Sequence, residues 1–446
     1  MVGERSIGAM VVAFVLAIGA VLYCSLLWRQ KWIADDGYIY LTYVRNLWDH
    51  GQLTFNLGEP VDAATGFLWL LLLVAFDAAL FFLDPRQSAF VLSWACCLAS
   101  FALIGARIVR GERRFLLAIA AIFFTPFIVS FSSSGLETPL ILFLCVAFYF
   151  GLRDRPKAVT TFLVAGLMPF ARPELGLVVV VLAMALSWGR DWRGLKLLLG
   201  PLLLLAALRW LIFGDVLPNT AFVKLFSATY GFGRYYLYEF FASYWHAVAI
   251  FGLLVLMSCA KAVQAIRHRS VAETVDTHVL LCVVVVVGLV GYVFKGGGDF
   301  MHGRFMLPSY VLAVLLVVDG LRFRVNALAG DGAAIGVALT SVVLALYASS
   351  TESYTVSDHK NWYRGITDEQ ATWSRDHETI NDWGGHNSHD WARWSEAAEK
   401  LARRLGKPVG LAVKGIGQLG FYRDARWVYV YDRLSLTVIS GAMVDN

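Results

Sequence analysis

Long apolar runs separated by short charged clusters constrain this chain more than any other feature of its sequence. The runs are about 14 to 22 residues long, and a membrane-spanning helix needs about 20 predominantly apolar residues. Of the 446 residues, 58% are hydrophobic and only 16% are charged, against about 25% charged residues in soluble domains. The pattern predicts a polytopic membrane protein and excludes a soluble enzyme, a disordered chain and a fibrous repeat.

The apolar runs give a predicted set of membrane spans. We read the first run as an uncleaved span, because no small-residue cleavage site precedes Trp28 and Arg29. The six cysteines all lie in apolar runs, which implies neither a disulfide framework nor a metal site. A further run, 66–83, is ambiguous. The eleven runs predicted to cross are about 7–28, 88–106, 115–131, 138–151, 158–171, 175–188, 195–213, 240–260, 278–294, 304–319 and 332–349.

The placement of basic residues predicts the orientation. Six short segments between the runs carry sixteen Lys and Arg residues, whereas the opposite loops carry eight in a greater length. The positive-inside rule places the first set in the cytoplasm. All six basic segments lie in the cytoplasm if the N-terminus is inside and the run 66–83 lies at the outer face without crossing. Twelve spans with the N-terminus outside remain an alternative.

The C-terminal segment 350–446 differs in composition from the rest, with 12 Lys and Arg, 13 Asp and Glu and no long apolar run. A helical periodicity from Trp391 to Leu405 precedes two short β-like runs, Val409 to Val413 and Trp427 to Tyr431, with a glycine-bearing turn predicted between them. We therefore predict two domains, a transmembrane domain 1–349 and a small outer α/β domain 350–446.

The loop after the first span, 29–65 (29–87 with its juxtamembrane helices), contains adjacent carboxylates, Asp35 and Asp36. Acids beside a membrane are costly unless they are exposed, paired or used. The pair is suited to act as a general base, to bind a divalent metal or to hold sugar hydroxyls. The alternative is helix capping, because Asp at the start of the segment YIYLTYVRNL is a good cap.

This loop resembles the first-loop motif of GT-C superfamily membrane glycosyltransferases, in their bacterial arabinofuranosyltransferase-like branch. The similar segments are DDGYIYLTYVRNL and GQLTFNLGEPVDAATGFLW in the loop, then SGLETPL, ARPELG, FGDVLPNTAFVKL and GGGDFMHGRFMLP. They occur in order between residues 35 and 308. The resemblance implies a polyprenyl-phosphate sugar donor, D-arabinofuranose as the sugar, and an active site on the outer face. The branch includes cell-wall arabinofuranosyltransferases and a pilin arabinosyltransferase, so the implied acceptor is a pilin-like protein or a cell-surface glycan.

Both the resemblance and the residue chemistry suggest site residues. Asp35 or Asp36 is the expected catalytic base, and Lys224, in the outer loop 213–239, and Arg304 are the expected ligands of the donor phosphate, since both side chains are cationic. For several of these residues a structural role is the alternative: Glu137 at a helix start, Arg172 paired with Glu174, Lys224 in an interfacial loop, and Asp299 paired with Arg304. The expected sugar or acceptor contacts are Glu137, Asp299, His302, Tyr38 and Asn219.

The predicted fold is an all-α polytopic membrane protein of GT-C type, with about eleven transmembrane helices and a small extracytoplasmic α/β domain. We expect it in the bacterial inner membrane, with a lipid-linked donor, no nucleic-acid partner and no required cofactor beyond that donor. His386 and His389 form at most a weak metal motif. A transporter or flippase of lipid-linked sugars is the alternative function, and a scaffold or sensor is a third.

Overall fold

The computed structural model describes residues 2–219, 230–268, 276–298, 301–321, 387–413 and 416–432. Within these residues the chain forms sixteen α-helices and a two-stranded sheet. The helices are α1 (Val2–Arg29), α2 (Asp35–His50), α3 (Phe67–Ala79), α4 (Pro85–Val109), α5 (Phe115–Phe123), α6 (Pro126–Phe131), α7 (Thr138–Asp154), α8 (Val159–Ala171), α9 (Gly176–Trp188), α10 (Trp192–Phe213), α11 (Tyr230–Ser243), α12 (Trp245–His268), α13 (Thr277–Gly296), α14 (Leu307–Gly320), α15 (Asn387–Leu405) and α16 (Gly417–Tyr422).

Five of the described helices, α1, α4, α10, α12 and α13, are long and apolar enough to cross a membrane. Their outward faces carry large apolar side chains, such as Leu203, Leu204 and Leu211 of α10, which are 65%, 69% and 72% exposed. Contiguous apolar surface of this kind is unfavourable in water and favourable in lipid. The chain is therefore a polytopic membrane protein, as its sequence predicted.

Helices α1 and α4 pack antiparallel. Near one end, the ring centroids of Trp28 and Phe90 lie 6.2 Å apart. Further along the two helices, Gly19 of α1 packs against Phe101 of α4: a Cβ added to Gly19 would lie 3.4 Å from the Phe101 ring. The C-terminal end of α1 and the N-terminal end of α4 therefore lie at the same face. The segment between them, which includes α3, begins and ends at that face, and the 13 residues of α3 span only about 20 Å.

The other ends of several helices meet in a cluster of ion pairs. Arg107 pairs with Asp154, and Arg114 Nη2 lies 2.7 Å from Asp319 Oδ1. Arg153 lies 2.8 Å from the other oxygen of Asp319. The basic segments that follow α4 and α7 therefore lie together, as positive-inside segments should.

The local sequence explains where the helices around the first loop begin and end. Asp84 accepts a 2.9 Å hydrogen bond from the Arg86 backbone N–H, and Gln87 bonds back to Asp84 N–H at 3.3 Å, which makes a capping box with Pro85 at the first helical position of α4. Helix α2 ends at His50, and the next residue, Gly51, caps it with a φ of 70° in the left-handed region.

The described part of the C-terminal segment forms a small β-α-β unit beside α15. Strands β1 (Val409–Val413) and β2 (Val428–Asp432) pair in parallel, with Val409 opposite Val428. A parallel pair cannot be joined by a tight turn. The predicted glycine-bearing turn was therefore wrong, because the connection contains helix α16.

Two other predicted boundaries also need correction. The apolar run 115–131 is two helices, because the chain leaves the helix near Thr125 and Pro126 starts α6. The run 240–260 spans the end of α11 and the start of α12, which are separated at Tyr244.

The β-α-β unit docks on the first loop. Arg423 Nη2 donates a 2.7 Å hydrogen bond to the Phe55 carbonyl, and Asn56 Nδ2 donates one of 3.0 Å to the Val430 carbonyl. Arg86 Nη1 lies 3.0 Å from the Tyr422 hydroxyl. The described tail thus lies at the face that carries residues 30–66.

Candidate functional site

Glu137 is the centre of a buried polar cluster at this face. Glu137 occupies the N-cap position of α7 without a side-chain capping bond, and it is fully buried. Its Oε1 lies 2.8 Å from Arg304 Nη2, and the Tyr40 hydroxyl donates to its Oε2 at 3.1 Å. Arg304 lies in the 3-10 turn just before α14, so the N-terminal ends of α7 and α14 meet at this carboxylate.

A second arginine borders the same carboxylate. Arg172 Nη1 lies 3.7 Å from Glu137 Oε1, and Arg172 Nε lies 2.5 Å from Glu174 Oε1. Its guanidinium stacks 3.9 Å from the centre of the Phe305 ring. The predicted alternative for Arg172, pairing with Glu174, is therefore present, and the residue also joins the Glu137 cluster.

The charge of Glu137 is maintained by these neighbours. Burial raises the pKa of a carboxyl group, but the positive charges of Arg304 and Arg172 outweigh burial, so the pKa of Glu137 is lowered. An ionised buried carboxylate fixes the position of both guanidinium groups.

Asp36 is the accessible acid of this cluster. Its side chain is 35% exposed, compared with 0% for Glu137 and 4% for Glu174. Its Oδ2 lies 3.7 Å from Arg304 Nη1. Arg304 therefore lies between a buried carboxylate and a carboxylate that faces outward.

Asp35, the adjacent acid, has a different environment. Its two oxygens accept hydrogen bonds from the backbone N–H groups of Gly417 at 3.1 Å and Gln418 at 3.0 Å. Those groups begin helix α16, so Asp35 caps a helix in the tail. The start of its own helix is capped by Ala34, without a side-chain bond. The predicted alternative, that the acid pair caps its own helix, was therefore wrong, because Asp35 is bonded to the start of α16.

This arrangement bears on the possible metal site at the acid pair. Both oxygens of Asp35 already accept backbone N–H groups, and Asp36 faces Arg304. In the part of the chain that the structure describes, no group of three or more His, Cys, Asp or Glu side chains could hold a metal ion. Within the described residues, the carboxylate of Asp35 is therefore used to dock the tail, and that of Asp36 faces a guanidinium group.

The remaining predicted site residues occupy several places. Tyr38 is buried, with its ring centroid 5.4 Å from that of Phe421. Asn219 donates its backbone N–H to the Asp62 carbonyl at 2.9 Å. Lys224, Asp299 and His386 lie outside the described residues, and His389 lies in α15.

His302 lies in the turn before Arg304. It is 5% exposed, and its Nδ1 lies 3.2 Å from the Tyr244 hydroxyl. Burial lowers the pKa of His302 to about 4, because the imidazolium form loses its hydration. His302 is therefore neutral at pH 7.

Two contributions to this face were missed from the sequence. The Tyr40 hydroxyl accepts the Gly66 N–H at 2.8 Å while it donates to Glu137, which joins α2 to the end of the first loop. Arg209 of α10 forms a buried ion pair with Asp62. A signal for the second was present, because an arginine within an apolar run requires a partner.

Comparison with known proteins shows which folds and sequences this chain is similar to. No family model matches the chain. Its fold is similar to that of ArnT from Cupriavidus metallidurans, in a crystal structure with bound undecaprenyl phosphate: the TM-score is 0.51 at 15% identity, over 94% of this chain and 75% of that one. The chain therefore shares its fold with that structure, which agrees with the polytopic membrane architecture described above.

Two curated relatives refine this assignment. The chain is 30% identical to the terminal beta-(1->2)-arabinofuranosyltransferase of Mycobacterium tuberculosis, over 80% of this chain and 64% of that protein. It is 27% identical to the protein of the same name from Corynebacterium glutamicum, over 66% of this chain and 48% of that protein. The chain therefore spans less than two thirds of the length of either relative. The predicted resemblance to arabinofuranosyltransferases is confirmed.

Proposed function

We propose that the protein is a glycosyltransferase that moves D-arabinofuranose from a polyprenyl-phosphate donor to an acceptor hydroxyl. The observation that carries the proposal is the position of Asp36. It is an accessible carboxylate held beside Arg304, at the entrance to a buried charged cluster. The similarity to arabinofuranosyltransferases supports D-arabinofuranose as the transferred sugar. The fold shared with ArnT supports a lipid-phosphate donor.

The proposed reaction uses Asp36 as the general base. The acceptor oxygen forms a bond to the anomeric carbon, its proton passes to the Asp36 carboxylate, and the bond from that carbon to the phosphate oxygen breaks. The polyprenyl phosphate leaves with the electron pair. Base catalysis of this kind contributes about 10²- to 10⁴-fold in rate.

The charges of the cluster explain why the donor phosphate needs more than Arg304. Among the described residues, the two guanidinium groups of Arg304 and Arg172 face the three carboxylates of Glu137, Glu174 and Asp36. This set is net negative, which disfavours a phosphate. We therefore assign the main phosphate contact to Lys224, with Arg304 contacting the phosphate while it positions Asp36.

For the acceptor, a cell-surface glycan and a pilin-like protein are both candidates. The names of the relatives denote transfer that makes a terminal β-(1→2) linkage, which favours a glycan that ends in arabinofuranose. The basic clusters at the opposite ends of the helices favour a site on the outer face of the plasma membrane.

The test is a transfer assay with the purified protein in nanodiscs and polyprenyl phosphate carrying radiolabelled arabinofuranose. We expect label to move covalently to an arabinofuranose oligosaccharide, and Asp36→Asn to lower the rate at least 10²-fold. Glu396→Gln is the matched control, since Glu396 is 69% exposed in the tail, and it should keep the parental rate. Movement of intact donor between leaflets without a labelled product would establish the flippase alternative.

A further inference from the structure

A cavity lies at the face that carries the first loop, between that loop and the tail. Its volume is about 690 Å³. We call it the α2–α16 groove and define it by six lining residues, Arg45, Trp48, Asp49, Asp77, Arg86 and Tyr422. Tyr422 lines the groove because the tail docks on the first loop. Arg86 Nη1 lies 3.0 Å from the Tyr422 hydroxyl.

The groove is separate from the Asp36 site. Arg45 follows Asp36 by nine residues, which is two and a half turns of helix, so the two side chains leave opposite sides of α2. Tyr38, two turns before Arg45, packs on Phe421 of α16. The groove therefore does not extend the reacting centre, and a ligand in it would be held apart from the transfer.

Asp77 gives the groove a buried carboxylate. It lies in the otherwise apolar helix α3 and is 7% exposed. The side chains of Ser88 and Trp48 lie close enough to stabilise its charge, but its Oδ1 forms no hydrogen bond of ordinary geometry. A ligand hydroxyl that donates to this oxygen would lower the cost of burying it.

The other lining groups favour an uncharged ligand. Arg86 is paired with Asp84 at 2.7 Å and Arg45 with Asp49 at 3.2 Å, so both cations are already neutralised. Asp84 also lines the groove, so with Asp77 the lining has one more carboxylate than guanidinium group, which disfavours a phosphate headgroup. Trp48 is 52% exposed and offers an apolar ring face beside these polar groups. A sugar, with apolar C–H faces and hydroxyl donors, matches this combination.

We propose that the α2–α16 groove is a secondary carbohydrate-binding site that holds the acceptor glycan away from the point of transfer. The inference rests on the proposed function for the identity of the glycan. Hydroxyl groups would donate to Asp77, and a sugar ring would stack on Trp48. Such a site lowers the KM for long acceptors and leaves kcat and short acceptors unaffected.

The experiment measures binding and transfer separately. Binding of an arabinofuranose hexasaccharide and of a disaccharide to the nanodisc-bound protein is followed by calorimetry, and transfer to both is followed with the labelled donor. We expect Trp48→Ala to weaken hexasaccharide binding and raise its KM about 10-fold, with disaccharide transfer unchanged. Asp77→Ala should act in the same direction. Trp188→Ala, which removes a 93% exposed tryptophan of α9, is the control and should change neither.

The outcomes distinguish this inference from the proposed function. Asp36→Asn should bind the hexasaccharide like the parent while transfer is lost. If the parent transfers sugar but Trp48→Ala and Asp77→Ala keep the parental binding and KM, the groove is not a glycan site. If no transfer occurs but hexasaccharide binding that depends on Trp48 persists, the proposed function is wrong and the assignment of the groove as a glycan site still holds. Binding that responds to the nanodisc lipid headgroup in place of the hexasaccharide would overturn the proposal in favour of a lipid.

Discussion

The carboxylate of Asp35 accepts the backbone N–H of Gly417, which is 382 residues further along the chain. Its neighbour Asp36 faces Arg304. Two adjacent acids that are equivalent in the sequence therefore have different tasks, one in docking the tail and one at the proposed reacting centre. This division leads to separate predictions for the two carboxylates.

Asp35→Asn should loosen the tail. The amide keeps one acceptor oxygen, but its NH₂ group opposes the second backbone N–H, and the bonds lose their charge. Hydrogen bonds to charged groups contribute about 1.5–3 kcal/mol. We expect faster limited proteolysis of the C-terminal segment, whereas Asp36→Asn should keep the parental cleavage rate. Equal protection of the tail in the parent and in Asp35→Asn would show that this contact does not hold it.

Gly417→Ala should have a larger effect on docking. A Cβ at this position would overlap the Asp35 backbone carbonyl. We expect a lower melting temperature and a tail that is cleaved rapidly. Gly200→Ala is the control, because no atom lies within 4 Å of the added Cβ there. Parental melting and cleavage of Gly417→Ala would mean that α16 is not seated on α2 as described.

Glu137→Gln should destabilise the protein strongly. It leaves Arg304 and Arg172 buried without the carboxylate that they share. Removing one partner of a buried ion pair typically costs about 3–5 kcal/mol. Denaturant unfolding in detergent measures this loss, and combining Glu137→Gln with Arg304→Gln should cost less than the sum of the single changes. Strictly additive losses would contradict a direct interaction between the two residues.

His302 should make stability depend on pH. Its pKa is about 4 in the folded protein and about 6.5 in an unfolded chain, so between these values the unfolded state binds more protons. Stability is therefore complete above pH 6.5 and falls as the pH is lowered towards 4, by about 3 kcal/mol in total. Melting temperatures across this range should show a shallower slope for His302→Gln. An unchanged slope would mean that His302 titrates alike in both states.

Topology predicts which residues can be labelled from outside intact cells. In a background lacking the exposed Cys259, we expect an impermeant thiol reagent to modify Gln52→Cys and Ala397→Cys. Both positions are exposed, and the docked tail lies at the same face as the first loop. Arg155→Cys, at the opposite end of α7, should react only after permeabilisation. Labelling of Ala397→Cys without Gln52→Cys would support the twelve-span alternative.

The sequence predicted the elements that follow from local patterns. Apolar runs predicted the five long apolar helices of the described residues, and short β-like runs predicted both tail strands. The predicted span 332–349 lies outside the described residues. Local patterns do not report which distant groups meet, so the bond from Asp35 to Gly417 was not predictable. The convergence of Arg304, Arg172 and Tyr40 on Glu137 was likewise outside the reach of spacing arguments. The glycine pair Gly415 and Gly417 was read as a turn because glycine signals turns more often than close helix packing.

Helices α7 and α14 run parallel, and ion pairs join them near both ends, Glu137 with Arg304 at one face and Arg153 with Asp319 at the other. Sliding one helix past the other by a single turn, about 5.4 Å, would break both connections together. The two ion pairs therefore fix the register of α7 against α14, and with it the position of Arg304 beside Glu137. A substitution at Asp319, about 20 Å from Arg304 along α14, should disturb the position of Asp36 without contacting any substrate.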